Sequence, residues 1–439
     1  MARERLEELS RRIDDRSARI GVIGLGYVGL PLAVEFAKAG FEVVGFDVDR
    51  EKVRSIERGV SYIGDVATEE LAKIVAAGKL EATADFDKLH NVQIVNICVP
   101  TPLTRTKDPD ISFMARAVEQ IKERLHPGTL IVLGSTTYPG TTDELFVSAL
   151  EETGLRIGED FALAFAPERI DPANPKFKVK NVPKVVGGAT PLCTELACKV
   201  FGTIFETTVP VSSTRAAEMV KLLENTFRAI NIGLVNEIAL MCERLGLDVW
   251  EVIDAAATKP YGFMKFLPGP GLGGHCIPVD PSYLSWKMKS LNFSARFIEL
   301  ATEINSRMPE HVAERVGSIL NEDRRAVNGS SILVLGVAYK KDVGDMRESP
   351  AIDVIGTLAR RGAEIRYHDP FVPECEIDGV RYKNTDLTDE ALGAADLVVI
   401  ITDHSAVDYA RVVEKAERIF DTRNATKAIR GRSDKISKL

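Results

Sequence analysis

Cysteine is scarce in this sequence, and long hydrophobic runs are missing from it. Only six cysteines occur among 439 residues. No two of them have the spacing of a zinc site, so we expect reduced thiols and no metal centre. No apolar run approaches the roughly 20 residues of a membrane-spanning helix, and the charged start lacks the apolar centre of a secretory signal. We therefore predict a cytoplasmic protein with no membrane partner.

Basic residues are fewer than acidic ones, which limits the classes of partner. The chain has 56 lysines and arginines against 64 aspartates and glutamates, a formal net charge of −8. A charge of this sign argues against a nucleic-acid surface, although a ligand pocket can still be locally basic. The content of 45% apolar and 27% charged residues is typical of a soluble globular protein, and the length predicts two or three domains.

Strand and helix patterns alternate in the first third of the chain and again after Ser330. The first third has strand-like apolar runs at 19–26, 42–47, 92–100, 129–136 and 161–167, with helical patterns between several of them. Such alternation predicts a parallel sheet covered on both faces. In each region the first strand ends at a glycine turn, and the second ends in an acidic residue, Asp47 or Asp369. The sequence thus predicts an α/β protein with two Rossmann-like doubly wound domains.

The middle of the chain has a helical pattern. Residues 213–244 contain no proline and one glycine, and apolar residues recur there every three or four positions. This spacing predicts one long amphipathic helix that packs in a core or against a partner subunit, with Ser212 or Ser213 as its N-cap. Helical character resumes over 283–320. We therefore predict segments 1–205, 206–320 and 321–439, ending in a frayed basic tail.

A glycine turn follows the first predicted strand. Gly24, Gly26 and Gly29 match the GxGxxG pattern, in which glycines allow a pyrophosphate to approach backbone N–H groups. Asp47 lies about 20 residues further on, where a carboxylate would bind the ribose hydroxyls and repel a 2′-phosphate. This context predicts NAD rather than NADP. The alternative is a purely structural strand–helix turn.

Two further clusters suggest chemistry. Lys221 and Asn225 are four residues apart and share a face of the long helix. They either stabilise an alkoxide or are a solvated lysine beside a helix asparagine.

The stretch PGPGLGGHCIPVDP (268–281) predicts a shaped loop that presents Cys276 and Asp280. An accessible thiol beside a nicotinamide can trap an aldehyde as a thiohemiacetal. The alternative interpretation of this stretch is a structural turn that contains a cysteine by chance. We expect the remaining cysteines to be structural: Cys98, Cys193, Cys198, Cys242 and Cys375.

Six segments together resemble one protein family over nearly the whole chain. They are GVIGLGYVGLPLA, GSTTYPGTT, APERIDPANP, EMVKLLENTFRAINIGLVNE, PGPGLGGHCIPVDP and LGVAYKKDVGDMRESPA. In this order and spacing they resemble the UDP-glucose/GDP-mannose dehydrogenase family. The resemblance implies NAD-dependent four-electron oxidation of a sugar C6 alcohol to a carboxylate. It also implies an NAD-binding first domain, a dimer-forming helical middle with the catalytic loop, and a UDP-sugar-binding third domain.

The resemblance also implies roles for individual residues. Cys276 would be the nucleophile, Asp280 would assist thioester hydrolysis, and Lys221 with Asn225 would stabilise an oxyanion or order water. The implied cofactor contacts are Gly24, Gly26, Tyr27, Val28, Gly29, Asp47, Lys52, Thr101, Thr136 and Arg347. The implied substrate contacts are Glu168, Arg169, Lys221, Asn225, Gly273 and Lys340, with Glu168 and Thr136 also near the reacting carbon. No metal is implied.

Departures from the UDP-glucose pattern bear on the substrate. Pro172 stands where that branch usually has a second glutamate, and His275 stands where it has a small residue. PERIDPANP, KFLPGPGLGGHCIPVDPSYLSWK and DMRESPA resemble dehydrogenases of UDP-N-acetylhexosamines. We therefore expect UDP-N-acetylglucosamine, followed by UDP-N-acetylmannosamine or the galacto epimer, then UDP-glucose, with GDP-mannose last. A β-hydroxyacid dehydrogenase and a non-catalytic dinucleotide sensor stay open as other classes.

Overall fold

The computed structural model describes residues 2–104, 108–169, 177, 179–274, 276–429 and 433–439. Pro172 and His275 lie outside these residues. The chain divides into two compact units. One is Met1–Glu224 with Ser282–Asn292, and the other is Asn225–Pro281 with Phe293–Leu439. This two-unit division differs from the three predicted segments, which stay a prediction.

The first unit contains an eight-stranded sheet with the order β3-β2-β1-β4-β5-β6-β7-β8. Neighbouring strands are parallel except for the antiparallel pair β6 and β7. The five predicted strands are present, and three more that the apolar pattern did not indicate join them. The strands are β1 (Arg19–Ile23), β2 (Glu42–Phe46), β3 (Leu80–Thr83), β4 (Ile94–Ile97), β5 (Leu130–Leu133), β6 (Ala162–Phe165), β7 (Lys184–Gly188) and β8 (Thr208–Val211).

Both faces of this sheet are covered, as the continuous apolar strands predict. All residues of β4, β5 and β6 are buried, and one apolar core lies on each face. Leu6, Leu9 and Ile13 of the first helix complete one of these cores. The helices are α1 (Ala2–Asp14), α2 (Gly29–Lys38), α3 (Arg50–Glu57), α4 (Thr68–Ala76), α5 (Ser112–Lys122), α6 (Ser148–Glu151) and α7 (Pro191–Phe201).

The predicted long helix is confirmed as α8 (Thr214–Leu245), 32 residues in length. Its start is fixed by Ser213, whose Oγ accepts the N–H of Ala216 at 3.2 Å. Three more helices follow before the second sheet: α9 (Val249–Ala256), α10 (Asp280–Ser290) and α11 (Arg296–Glu322). Across the described residues, no helix combines the length and the apolar character that crossing a bilayer requires.

The second unit contains a parallel five-stranded sheet with the order β10-β9-β13-β14-β15, and a separate hairpin of β11 and β12. The second Rossmann-like pattern is thereby confirmed. The strands are β9 (Ser331–Leu335), β10 (Glu364–His368), β11 (Glu374–Ile377), β12 (Val380–Lys383), β13 (Leu397–Ile400), β14 (Ile419–Asp421) and β15 (Ile436–Lys438). Its helices are α12 (Pro350–Arg360), α13 (Asp389–Gly393) and α14 (Tyr409–Lys415).

The expected frayed tail is wrong for the last residues. Ile436–Lys438 form β15 and pair in parallel with β14. The Lys435 ammonium donates to the carbonyl of Ala416 at 2.8 Å, and Lys438 pairs with Asp248. The basic composition concealed this edge strand, because the partners of both lysines are distant in the sequence and only the fold brings them near.

Candidate active site

The glycine turn after β1 has the geometry of a phosphate cradle. Gly24 has φ +90°, and a Cβ there would lie 2.6 Å from the carbonyl oxygen of Cys98. A Cβ on Gly29 would lie 1.8 Å from the carbonyl oxygen of Gly24. Gly26 faces open space, with nothing within 4 Å of an added Cβ. Two glycines are thus required by close packing, and the third leaves room for a ligand to approach the backbone.

Asp47 lies just beyond the carboxyl end of β2, beside this turn. Its Oδ2 accepts the N–H of Leu25 at 2.9 Å, and its Oδ1 accepts the N–H of Asp49 at 2.9 Å. The ammonium of Lys52 lies 3.4 Å from Oδ2. Tyr27 is exposed and Val28 is half-buried. A carboxylate held at this place fits the ribose hydroxyls of NAD and disfavours a 2′-phosphate.

Tyr62 supports the turn, although no sequence motif had pointed to this residue. Its hydroxyl donates to the carbonyl of Leu25 at 2.6 Å. Burial, with the charges of Asp47 and Asp49, raises the pKa of Tyr62, so the hydroxyl stays protonated as a donor.

The carboxyl ends of β4, β5 and β6 gather the remaining predicted residues of this unit. Thr101 and Thr136 are half-buried in the loops after β4 and β5. Glu168 follows β6, and its Oε2 lies 3.2 Å from the ammonium of Lys184. Burial raises the pKa of the Cys98 thiol to about 12, and Lys184 opposes this shift. Cys98 is therefore protonated at neutral pH, in agreement with a structural thiol.

Arg169 and Lys221 differ from ordinary surface cations. The Arg169 guanidinium binds both carboxylate oxygens of Glu224 on α8, with Nη2 2.5 Å from Oε1 and Nε 3.2 Å from Oε2. It also donates to the carbonyl of Pro183 at 2.6 Å. Lys221, one turn before Glu224, is only 7% exposed. The interpretation of Lys221 as a solvated lysine is therefore wrong, because its side chain is buried.

In the second unit, Asn225 connects two charged groups. Asn225 is fully buried, and its Nδ2 donates to Oδ2 of Asp280, which is 2% exposed. Its Oδ1 accepts a hydrogen bond from Nη2 of Arg228. The amide thus lies between a buried carboxylate and a guanidinium. Sequence spacing had not indicated Arg228, although it lies one turn after Asn225 on the same helix.

The loop that carries Cys276 is shaped by its glycines. Gly271 and Gly274 have φ of +139° and +90°. A Cβ on Gly273 would lie 2.7 Å from Cβ of Tyr339 and 2.9 Å from the carbonyl oxygen of Glu348. The carbonyl of Cys276 accepts the N–H groups of Val279 and Asp280 at 3.2 and 2.8 Å. The Cys276 side chain is half-buried in the turn that precedes α10.

Lys340 and Arg347 lie in the segment after β9 that packs against this loop. Lys340 is half-buried, and the carbonyl of Arg347 accepts the N–H of Gly274 at 3.2 Å. The exposed Arg347 guanidinium pairs with Asp345 at 2.8 Å. The predicted cofactor contact of Arg347 stays a prediction.

A cavity of about 300 Å³ lies within the second unit. Its lining includes four cationic and two acidic side chains: Lys265, Lys341, Arg423, Lys427, Asp254 and Asp403. Lys265 pairs with Asp254 at 2.5 Å, and Lys341 lies 3.8 Å from Asp403. Two other lining residues, Trp250 and Asn424, have buried polar atoms (Nε1 and Oδ1) with no hydrogen-bond partner among the described residues. Buried polar atoms in proteins normally have a hydrogen-bond partner, and with the surplus of cationic side chains they suit an anionic molecule that can form hydrogen bonds.

Comparison with known proteins covers most of the chain. Family models described as the NAD binding domain, central domain and UDP binding domain of the UDP-glucose/GDP-mannose dehydrogenase family match residues 18–205, 215–307 and 333–428. The chain belongs to the UDP-glucose/GDP-mannose dehydrogenase family. It is therefore an NAD-dependent nucleotide-sugar dehydrogenase that acts on a CH–OH group. This membership decides against the β-hydroxyacid dehydrogenase and the non-catalytic sensor.

Individual relatives show how similar this family member is to known dehydrogenases. A UDP-N-acetyl-D-glucosamine 6-dehydrogenase from Pseudomonas aeruginosa is 34% identical, over 92% of this chain and 96% of its own. A UDP-N-acetyl-D-mannosamine dehydrogenase from Pyrococcus horikoshii is 36% identical, over 88% of this chain and 89% of its own. A solved structure of a UDP-D-ManNAc dehydrogenase from Pyrococcus horikoshii superposes with a TM-score of 0.85 at 34% identity, covering 93% and 96% of the two chains.

The matched family models name a ligand for a segment of each unit. Where the structure describes the chain, no group of three or more histidines, cysteines, aspartates or glutamates could hold a metal ion. The glycine turn and Asp47 fit NAD, and they lie in the segment matched by the NAD binding domain. Lys341, Asn424 and Lys427 of the cavity lie in the segment matched by the UDP binding domain.

Proposed function

We propose that this enzyme oxidises the C6 alcohol of UDP-N-acetylglucosamine to a carboxylate, in two oxidations joined by a covalent intermediate on Cys276. The main support is the loop after Gly273: it presents a half-buried thiol four residues before a buried carboxylate that is bonded to Asn225. NAD, when bound, accepts a hydride from C6 in each oxidation. UDP-N-acetylmannosamine is the second candidate substrate, because dehydrogenases named for the two sugars have similar sequence identity to this chain, 34% and 36%.

Cys276 is needed between the two oxidations. Its thiolate adds to the C6 aldehyde, and the former carbonyl oxygen takes a proton to give a thiohemiacetal. Loss of a hydride and a proton from this adduct gives a thioester. Water then adds to the thioester carbon, the Cys276 thiolate leaves, and the carboxylate is released. The loop glycines give the backbone the positive φ angles that shape the segment before this side chain.

Four buried or half-buried groups assist these steps. The Lys221 ammonium stabilises the oxygen that becomes negative during oxidation and hydrolysis. The hydrogen bond from Asn225 orients the Asp280 carboxylate, which accepts a proton from the hydrolytic water. Glu168 and Thr136, at the carboxyl ends of β6 and β5, bind the same water or the sugar hydroxyl.

The cavity of the second unit would hold the UDP moiety. Four cationic side chains line the cavity against two aspartates, and this surplus of positive charge would attract a diphosphate. The Trp250 N–H and the Asn424 carbonyl oxygen offer one donor and one acceptor to the uridine. Both atoms are buried, and a buried polar atom without a hydrogen-bond partner destabilises the fold, which supports a ligand at this place.

We also propose that the enzyme is a homodimer that buries one face of α8. Phe227, Leu234 and Met241 recur at seven-residue intervals and are 44%, 52% and 47% exposed. Large apolar side chains in one stripe mark an interaction surface. Sedimentation velocity should give the mass of two chains, and Leu234→Glu should shift it toward one. A wild-type chain that sediments as a monomer at micromolar concentration would contradict the proposal.

A panel of nucleotide sugars tests the proposed substrate. We expect UDP-N-acetylglucosamine to give the highest kcat/KM, with two NADH released per sugar consumed. UDP-N-acetylmannosamine, UDP-N-acetylgalactosamine, UDP-glucose and GDP-mannose are the comparison substrates. A higher kcat/KM for any of them reassigns the substrate, and one NADH per sugar excludes the four-electron reaction.

A further inference from the structure

One lysine is buried in the sheet of the first unit. Lys184 begins β7, and its side chain is 3% exposed. An ammonium group so far from water is costly unless charged or polar groups compensate it. Its Nζ lies 3.2 Å from Oε2 of Glu168, and it lies over the rings of Phe201 and Phe205, at 5.2 and 5.3 Å from their centroids. A carboxylate and two aromatic faces therefore surround this cation.

Rigid elements hold Lys184 in this position. Its N–H donates to the carbonyl of Thr207 at 2.9 Å, and the residue pairs with Thr208 on β8. Phe201, at the end of α7, is 1% exposed, and Phe205 is 4% exposed. Strand pairing therefore fixes the Lys184 backbone, and two buried aromatic rings flank its ammonium.

Glu168 is held from two directions. Its Oε1 accepts the backbone N–H of Arg169 at 2.8 Å, while Oε2 faces Lys184. The Glu168 side chain is 13% exposed, so it keeps some access to solvent or ligand. A carboxylate that receives a backbone N–H and an ammonium is favoured in its ionised form, and its orientation is fixed.

We propose that Lys184 is a positioning residue for Glu168, keeping its carboxylate ionised and aimed while the enzyme turns over. This inference rests on the proposed function, in which Glu168 binds the reacting water or sugar hydroxyl. Lys184 acts only through Glu168. Without the ammonium, Glu168 takes up a proton at higher pH and loses one of the contacts that orient it.

The test compares Lys184→Met, which keeps the length without the charge, with Lys184→Arg, which keeps the charge. For Lys184→Met we expect kcat to fall about 10- to 100-fold near pH 6, with KM for the nucleotide sugar changed less than threefold. The acidic limb of its pH–rate profile should move about one unit to higher pH, which corresponds to a tenfold change in proton binding. Lys184→Arg should recover most of the activity and the wild-type limb.

Lys199→Met is the matched control. Lys199 lies on α7 and forms an ion pair with Asp14 at 2.6 Å, so its loss removes a lysine ion pair from the same unit. It should leave the pH–rate profile unchanged. If Lys184→Met also keeps the wild-type profile and kcat, Lys184 is only structural and the inference is wrong.

Two further variants test whether Glu168 acts in turnover and whether Lys184 acts through it. If Glu168→Gln turns over at the wild-type rate, Glu168 has no catalytic role and the inference fails with that premise. The double variant Lys184→Met/Glu168→Gln removes both charges, so no unpaired buried charge remains to prevent folding. It should be no slower than Glu168→Gln alone; a further tenfold loss would overturn action through Glu168. A wild-type enzyme that oxidises no UDP-sugar would instead refute the proposed function.

Discussion

Cys276→Ala is expected to lower the steady-state release of the carboxylate product by at least about 10³-fold. Without the thiol no thiohemiacetal forms, so the sugar stops at the aldehyde or returns to the alcohol. Folding should be nearly unaffected, because alanine is smaller than the half-buried cysteine. The hydrogen bonds of this turn also come from the backbone, from Val279 and Asp280 to the carbonyl of residue 276. NADH counted per sugar consumed measures the effect.

Cys276→Ser gives a second, positive readout. Serine keeps a nucleophilic atom at nearly the same place, but an ester is hydrolysed far more slowly than a thioester. This variant should accumulate a covalent sugar adduct, which mass spectrometry of the intact protein detects after mixing with nucleotide sugar and NAD. Proteolytic mapping should place the added mass on residue 276.

Cys198→Ser is the matched control for the thiol. Cys198 is half-buried on α7, and burial raises the pKa of its thiol. Its replacement should leave turnover and the two-NADH stoichiometry unchanged. If Cys276→Ala still releases two NADH per sugar at the wild-type rate, the loop is a structural turn and the covalent mechanism is wrong.

Lys221→Ala is expected to lower kcat by about 10²–10³-fold, the usual effect of removing a group that stabilises transition-state charge. Lys221 is only 7% exposed, and on α8 it lies one turn before Asn225. Burying an ammonium opposes folding unless it is compensated. The loss of kcat should therefore come with little loss, or even a gain, in the thermal midpoint of unfolding.

Lys38→Ala is the comparison variant for Lys221. Lys38 ends α2 and forms ion pairs with Glu35 and Glu70 at 2.7 and 2.8 Å. Its replacement should alter the unfolding midpoint slightly and leave kcat unchanged. Lys221→Ala with a near-normal kcat would show that this buried lysine does not act on the reacting oxygen.

Local spacing determined much of the fold. The 3.6-residue period and the serine cap predicted α8 to within one residue at each end. The GxGxxG turn and Asp47 could be predicted because each depends on a short stretch of backbone. The strands β3, β7 and β8 could not, because none is a clear apolar run: β3 contains Glu81, β7 begins with Lys184 and ends in two glycines, and β8 is largely exposed.

The sequence by itself therefore determined the two Rossmann-like domains, the glycine turn and the candidate residues Lys221, Asn225 and Cys276. Only the tertiary structure decided which charges are buried together. Lys184 lies 16 positions from Glu168, and Asp280 lies 55 positions from Asn225. No periodicity links such residues, because their contact depends on how strands and helices pack. Lys184 has no sequence pattern that distinguishes it from a surface lysine. Its burial depends on the tertiary contact with Glu168, because a buried charge needs a partner.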